Sequence, residues 1–139
     1  MIGINAVGKK GERLANQMFQ YAAVKGIAKN RGYSYVVPPS KFTSNADQWQ
    51  EHQLFMPFKL ETFNPLQIQW LDLKRPELRE RHFHFDEDLF NNCPDWVSLH
   101  GFYQSEKYFL NVRDELLKDF SFIDDIENLC TEMMEGLHK

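Results

Sequence analysis

The stretch "GKKGERLANQMFQYAAVKGIAKNRG", residues 8–32, decides the expected fold because it joins a glycine-bearing loop to a long helix. Before it, the apolar run from Ile2 to Val7 is typical of a buried strand. After it, "YSYVVPP", residues 33–39, alternates like a strand and is ended by two prolines. Strand, loop, helix and strand within forty residues form a βαβ unit, which predicts a mainly parallel sheet with the first strand inside it.

The helix of this unit is predicted from Leu14 to about Asn30, with Gly32 as its C-terminal stop. Apolar or small residues recur at i, i+4 spacing, as in the row Met18, Ala22 and Gly26. We expect this row to pack on the sheet, with the glycine permitting close approach. The fold class is therefore predicted as α/β, a Rossmann-like three-layer domain.

The rest of the chain is predicted in less detail. Residues 40–76 are polar but hold several aromatic side chains, which indicates a packed excursion rather than a linker. "RHFHF" (81–85) and "WVSLHGF" (96–102) are strand candidates, and residues 109–120 carry helical spacing. The apolar residues of 123–137 follow a 3-4-3-4 spacing, which predicts an amphipathic helix that needs a partner surface.

Composition excludes several classes of protein. A length of 139 residues predicts a single domain, 1–139, and 42% hydrophobic residues suffice for a core. With 16 basic and 20 acidic residues, the chain lacks the basic excess of a nucleic-acid-binding protein. No apolar run approaches the ~20 residues of a membrane span, and no signal-peptide layout is visible. We therefore expect a cytoplasmic protein in which Cys93 and Cys130 are reduced thiols.

The glycine-bearing loop before the helix is the first candidate binding site. It matches neither common nucleotide fingerprint. The unpaired backbone N–H groups of a helix N-terminus can nevertheless dock an anion or the polar edge of a sugar. Arg13 could add a bidentate contact, and Asn16 and Gln17 offer donors and acceptors for hydroxyl groups. The alternative is that Asn16 caps the helix and Arg13 is a solvated cation.

Two further clusters raise the possibility of a metal site. Asp86 and Asp88 form an Asp-x-Asp pair that could hold Mg²⁺ or Mn²⁺, or could form a turn that caps a short helix. His82 and His84 would share one face of the predicted strand, a geometry compatible with zinc. Neither cluster shows a supporting set of ligands, so the structural interpretations are favoured and no metal is expected.

Three stretches resemble the α1,2-fucosyltransferases of the bacterial and viral type. "GERLANQMFQYAAVKGIAKNRGY" (11–33) is similar to the N-terminal signature of that family. "LHGFYQSEKYF" (99–109) is similar to a later family segment, and "RHFHFDEDLF" (81–90) fits the region before it. The order and approximate separation of all three agree with the family.

This resemblance implies the N-terminal lobe of a two-lobed, GT-B type glycosyltransferase. Such an enzyme moves fucose from GDP-fucose to the hydroxyl of a sugar acceptor, with inversion and without a metal or cofactor. Glu106 is the expected catalytic carboxylate: it could orient the acceptor hydroxyl, act as a base if burial raised its pKa, or simply cap the next helix. The residues expected to line the substrate and donor cleft are Gly11, Arg13, Asn16, Gln17 and Gln104.

Two departures from the family pattern limit what the resemblance implies. Ala15 replaces the family's glycine before Asn-Gln. The sequence also holds no His-x-Arg-Arg-x-Asp motif, the element that grips the GDP pyrophosphate in that family. The expectation is therefore a truncated or split fucosyltransferase with little activity alone, completed by a second chain that supplies the donor lobe. A non-catalytic module that binds a carbohydrate or a partner is the alternative.

Overall fold

The computed structural model of the protein describes residues 1–4, 14–37, 54, 57–58, 60, 70 and 74–137. Within them lies a four-stranded sheet in the order β2-β1-β4-β3, in which every neighbouring pair of strands is parallel. The strands are β1 (Ile2–Ile4), β2 (Tyr35–Val36), β3 (Glu77–Arg79) and β4 (Val97–His100). The parallel α/β sheet predicted from the sequence is thus confirmed, while its three-layer and GT-B form stays a prediction.

Strand β1 occupies an interior position, as its apolar sequence predicted. Ile2 pairs with Tyr35 on one side and with Val97 on the other. The side chains of Ile2 and Ile4 are fully buried. A Cβ atom on Gly3 would lie 2.7 Å from the carbonyl oxygen of Val36 and 2.8 Å from the indole of Trp70, so only glycine fits here. The remaining residues of the predicted strand lie outside the described residues.

Four helices and two 3₁₀ turns accompany the sheet in the described part of the chain. The helices are α1 (Leu14–Arg31), α2 (Glu87–Asn92), α3 (Arg113–Asp119) and α4 (Asp124–Leu137). The 3₁₀ turns are Glu106–Tyr108 and Leu110–Val112. Helix α1 packs against β1 and β2, and also against α2 and both 3₁₀ turns. It therefore contacts both the sheet and the helical segments that follow β3 and β4.

The end of α1 is set by glycine, as predicted. Gly32 has a φ of +70°, a left-handed conformation that costs glycine little. The N–H of Tyr33 donates to the carbonyl oxygen of Ala28 at 2.8 Å, and the N–H of Gly32 donates to that of Lys29 at 3.2 Å. These bonds satisfy carbonyl groups that the last turn leaves without helical partners.

The face of α1 that carries Met18, Ala22 and Gly26 packs differently from the prediction. A Cβ atom on Gly26 would overlap the backbone carbonyl of Tyr108. The amide of Asn111 also donates to the carbonyl oxygen of Gly26, at 2.9 Å. The close approach is confirmed, but the partner is the 3₁₀ segment rather than the sheet. Helical periodicity shows which residues share a face and does not show which element covers that face.

Two predicted boundaries are wrong. The strand placed at residues 81–85 lies earlier in the chain, at Glu77–Arg79, and residues 82–84 form a bend. The helical spacing of residues 109–120 belongs to a 3₁₀ turn followed by α3. The alternation at residues 81–85 does not reflect burial, because Phe83 is 81% exposed. The helical spacing at residues 109–120 continues through backbone that turns before α3 begins.

The middle segment, residues 40–76, is described only in part. Phe58, Leu60 and Trp70, with Leu54, are buried, which agrees with the predicted packed excursion at these positions. No helix among the described residues is long and apolar enough to cross a membrane.

Candidate functional site

The start of α1 and the segment that follows β4 meet in space. The side-chain amide of Gln104 donates to the Oδ1 atom of Asn16, with 2.7 Å between the heavy atoms. β1 and β4 are adjacent parallel strands, so their carboxyl ends lie at the same edge of the sheet. In open α/β sheets this edge is where ligands bind. The structure therefore brings together Asn16 and Gln104, two of the predicted cleft residues.

The backbone after β4 is held in shape by a carboxylate. Oε2 of Glu80 accepts the N–H of Phe102 at 2.9 Å and the N–H of Tyr103 at 2.6 Å. Tyr103 has a φ of +52°, which is costly for a residue other than glycine and persists only where surrounding contacts impose it. The amide of Gln20 donates to the carbonyl oxygen of Gly101 at 2.9 Å. These contacts fix the path of the chain just before Gln104.

Sequence reasoning missed Glu80 and Gln20. Gln20 is buried on α1, within the run "NQMFQYA" that carries the resemblance. A polar residue on an otherwise apolar helical face was the signal for a buried hydrogen bond. Glu80 follows a strand too short to be recognised, so nothing in the sequence distinguished it from a solvated acid.

Gln17 has a different environment from its neighbour Asn16. Its side chain is fully buried, and its Oε1 atom accepts the backbone N–H of Leu54 at 2.9 Å. That contact ties α1 to the middle segment. Gln17 is thus engaged in packing, whereas Asn16 lies at the surface beside Gln104. Gly11 and Arg13, the other predicted cleft residues, lie outside the described residues.

Glu106 is the first residue of a 3₁₀ turn and is exposed. The prediction that it caps a helix is wrong, because Ser105 occupies the capping position and its hydroxyl accepts the N–H of Lys107 at 3.4 Å. Among the residues that the structure describes, none donates a hydrogen bond to the Glu106 carboxylate. The carboxylate is therefore available to a ligand, but it lacks the burial that a general base of this kind needs.

An apolar pocket of about 480 Å³ adjoins these residues. Ala15 and Glu106 belong to its lining, and Met18 and Ala22 form its α1 side. The opposite side comes from the 3₁₀ turns and α3, including Phe109. The polar pair Asn16 and Gln104 thus lies next to an apolar surface, a combination typical of sites that bind small molecules.

Asp86 caps α2, which confirms the structural interpretation of the Asp-x-Asp pair. Its Oδ1 atom accepts the N–H of Leu89 at 3.1 Å, and Arg81 donates two hydrogen bonds to the carboxylate, at 2.8 and 2.9 Å. Burial raises the pKa of Asp86, but the Leu89 N–H and the Arg81 guanidinium outweigh it and hold the pKa below its ordinary value of 3.8. The N–H of Asp86 itself donates to the hydroxyl of Tyr108 at 2.9 Å.

The two histidines do not share the face of a strand. Their rings stack with 3.6 Å between centroids and an angle of 5° between planes, within the bend that follows β3. Within residues 1–4, 14–37 and 74–137 and the five single positions described between them, no group of three or more His, Cys, Asp or Glu side chains is placed to hold a metal ion. Both cysteines are free: Cys93 is buried and Cys130 is exposed.

Comparison with known proteins gives relatives of one kind. Galactoside alpha-(1,2)-fucosyltransferase 2 from Sus scrofa is 24% identical over 138 residues, and the proteins of the same name from Pongo pygmaeus and Bos taurus are 25% identical over 138 residues. Each alignment covers 96% of this chain. The chain resembles α1,2-fucosyltransferases.

The resemblance predicted from three short stretches is thereby confirmed over almost the whole chain. No family model matches the sequence, and no solved structure matches it. The chain spans 35% of the length of these curated relatives.

Proposed function

We propose that this chain forms the acceptor side of an inverting α1,2-fucosyltransferase. In this proposal Asn16 and Gln104 bind the hydroxyl groups of a sugar acceptor. Fucose is transferred from GDP-fucose to one of these hydroxyl groups. The names of the relatives make a galactoside the first acceptor to test. Gly11 and Arg13, which precede α1, would complete the cleft towards the donor.

The observation that carries the proposal is the hydrogen bond between Asn16 and Gln104. These residues come from two stretches, 88 positions apart, that each carry the resemblance. Their contact lies where the carboxyl ends of two adjacent parallel strands meet, the usual binding edge of such a sheet. An amide pair offers both donors and acceptors, which suits the hydroxyl groups of a sugar.

The exposed carboxylate of Glu106 is assigned a positioning role in this proposal. It accepts a hydrogen bond from the acceptor hydroxyl and so orients the attacking oxygen. The pyrophosphate of GDP-fucose needs cations, and this sequence holds no His-x-Arg-Arg-x-Asp motif. We therefore place the binding site for the donor pyrophosphate on further polypeptide. The proposal also includes a reaction without metal or cofactor, as the resemblance implies, and a cytoplasmic location.

A non-catalytic carbohydrate-binding module is the second candidate. The observation that favours it is the exposure of Glu106, because the catalytic groups of a transferase lie in a site from which water is excluded. In that case the Asn16–Gln104 pair binds a sugar without transfer.

Titration of the 139-residue chain with methyl β-galactoside, followed by NMR, tests the acceptor site. We expect the amide signals of Asn16 and Gln104 to shift, and we expect Asn16→Ala and Gln104→Ala to weaken binding about tenfold, the loss of one hydrogen bond to a hydroxyl. Asn128→Ala, on the exposed helix α4, is the matched control and should bind as the parent does. Saturable binding that is unchanged in both variants would place the sugar elsewhere.

Adding GDP-fucose then separates the two candidate functions. The fucosyltransferase proposal predicts transfer once the chain is combined with polypeptide that carries the cationic donor site, and loss of that transfer in Glu106→Gln. Galactoside binding with no transfer in any such combination would favour the binding module.

A further inference from the structure

Helix α4, Asp124–Leu137, leaves its apolar residues exposed, apart from the half-buried Ile126. None of its residues is buried. Leu129 is 57% exposed, Met133 63% and Leu137 78%. Large apolar side chains scattered singly on a surface are ordinary, but a row of them along one helix marks an interaction surface.

These side chains form a continuous row. At 100° per residue, Ile126, Leu129, Met133 and Leu137 fall within about 80° of one another around the helix axis. We call these four residues the α4 apolar face. A row of this width is what one helix presents to a single partner surface.

A groove extends the α4 apolar face towards α3. The groove has a volume of about 680 Å³ and is lined on the α4 side by Cys130 and Met134. Leu117, Phe120 and Phe122 line its other side, and Leu117 is itself 61% exposed. The apolar surface therefore spans two elements and is wider than the helix alone.

The borders of the α4 apolar face are strongly acidic. Glu127 lies on one side of it, and Asp125 and Glu132 lie on the other, by the same helical geometry. Helix α4 contains no lysine or arginine. All five of its charged residues are acidic: Asp124, Asp125, Glu127, Glu132 and Glu135.

We propose that the α4 apolar face docks a polypeptide whose own apolar row is bordered by lysine or arginine. Charge complementarity selects this occupant. A second copy of the chain would bring its own Asp125, Glu127 and Glu132 against those of the first, and like charges oppose that contact. Nucleic acids and anionic lipid surfaces are repelled for the same reason. The inference does not depend on whether the protein transfers fucose.

Two labelled helical peptides of the same length and with the same leucine row provide the test. One has lysine and the other glutamate at the positions that border the row. Fluorescence anisotropy with the full 139-residue chain should show at least tenfold tighter binding of the lysine peptide. That preference should shrink as the salt concentration rises from 0.05 to 0.5 M, because exposed charges are then screened.

Variants of the chain locate the contact. Met133→Gln should weaken binding of the lysine peptide about tenfold, whereas Asn128→Gln, on the opposite side of α4, should leave it unchanged. The double variant Glu127→Lys with Glu132→Lys should reverse the preference, so that the glutamate peptide binds more tightly. Because all these positions are exposed, the variants are expected to fold like the parent.

Several results would overturn the proposal. The proposal is contradicted if the chain binds the two peptides with equal affinity or binds neither of them. It is also contradicted if Met133→Gln leaves the affinity for the lysine peptide unchanged. Sedimentation equilibrium showing a dimer that Met133→Gln dissociates would assign the face to a second copy instead. Co-sedimentation with phosphatidylcholine vesicles that requires Met133 would assign it to a lipid surface.

Discussion

Helices α1 and α4 are both long, but they relate to the rest of the protein in opposite ways. α1 has nine buried residues and is contacted by the sheet, by α2 and by both 3₁₀ turns. α4 has none. Yet α4 is the more clearly amphipathic of the two. The apolar and small residues of α1 lie on most sides of that helix, whereas the large apolar residues of α4 are concentrated on one side and its charged residues are all acidic.

The difference shows that amphipathicity and burial are separate properties. A helix that is covered from two directions needs small or apolar residues almost all round, with buried polar groups such as Gln17 and Gln20 satisfied by hydrogen bonds. A helix with a sharply one-sided row has a single partner. For α4, no part of the described chain covers that row.

The largest expected contrast comes from removing one apolar side chain from each helix. Ile27 on α1 is fully buried, so Ile27→Ala should lower the free energy of unfolding by about 2–5 kcal/mol. Leu129 on α4 is 57% exposed, so Leu129→Ala should change the free energy of unfolding by less than about 0.5 kcal/mol. Urea unfolding followed by circular dichroism measures both. Equal losses would mean that α4 is packed in solution.

The two helical glycines allow the same substitution to be made in both environments. Gly26→Ala places a methyl group against the carbonyl of Tyr108, and we expect a loss of about 1–3 kcal/mol as the 3₁₀ segment is pushed away. Gly136→Ala meets no atom within 4 Å and should stabilise α4 by less than about 1 kcal/mol. Thermal melts of the pair should therefore shift in opposite directions.

Removing one hydroxyl group tests how firmly the 3₁₀ segment is held against the start of α2. Tyr108→Phe leaves the N–H of Asp86 without its acceptor in a buried place, which should cost about 1–2 kcal/mol. Tyr33→Phe, which removes a hydroxyl at a partly exposed site, is a control with a smaller expected loss. Similar unfolding free energies for the two variants would show that the Asp86 contact contributes little.

Acid should weaken the cap of α2 through Asp86. Its pKa in the folded state lies below the ordinary value of 3.8, so its stabilising contribution is present above about pH 4 and is lost as the pH falls through the folded pKa. Asp86→Asn keeps a capping oxygen but has no such titration. The difference in unfolding free energy between parent and Asp86→Asn should therefore shrink between pH 5 and pH 2. A constant difference over that range would contradict the assignment.

The sequence predicted the elements whose pattern is local. Helix α1, its glycine stop and the interior position of β1 followed from apolar periodicity and from Gly32. The amphipathic helix at 123–137 was also predicted, whereas its need for a partner surface stays a prediction. The strand at Glu77–Arg79 was missed because it has only three residues, and the more apolar stretch at residues 81–85 predicted a strand there instead.

The candidate site could be predicted only in outline. The contact between Asn16 and Gln104 agrees with the resemblance, which implied that both residues line one cleft. The burial of Gln17 depends on its contact with the N–H of Leu54, 37 positions away, which no local pattern encodes. The capping of the 3₁₀ turn by Ser105 rather than Glu106 is a local contact that the sequence interpretation missed. Identical residue types can face a ligand or a core, and only the fold decides.

The grip of Glu80 on the N–H groups of Phe102 and Tyr103 has a consequence for the energetics of recognition. The chain before Gln104 pays its ordering entropy when the protein folds, so a ligand that reaches this amide does not have to immobilise the segment that carries it. A sugar acceptor bound at this edge of the sheet, as proposed above, would then derive its affinity mainly from new contacts. Its binding would require no rearrangement of the backbone that Glu80 and Gln20 hold.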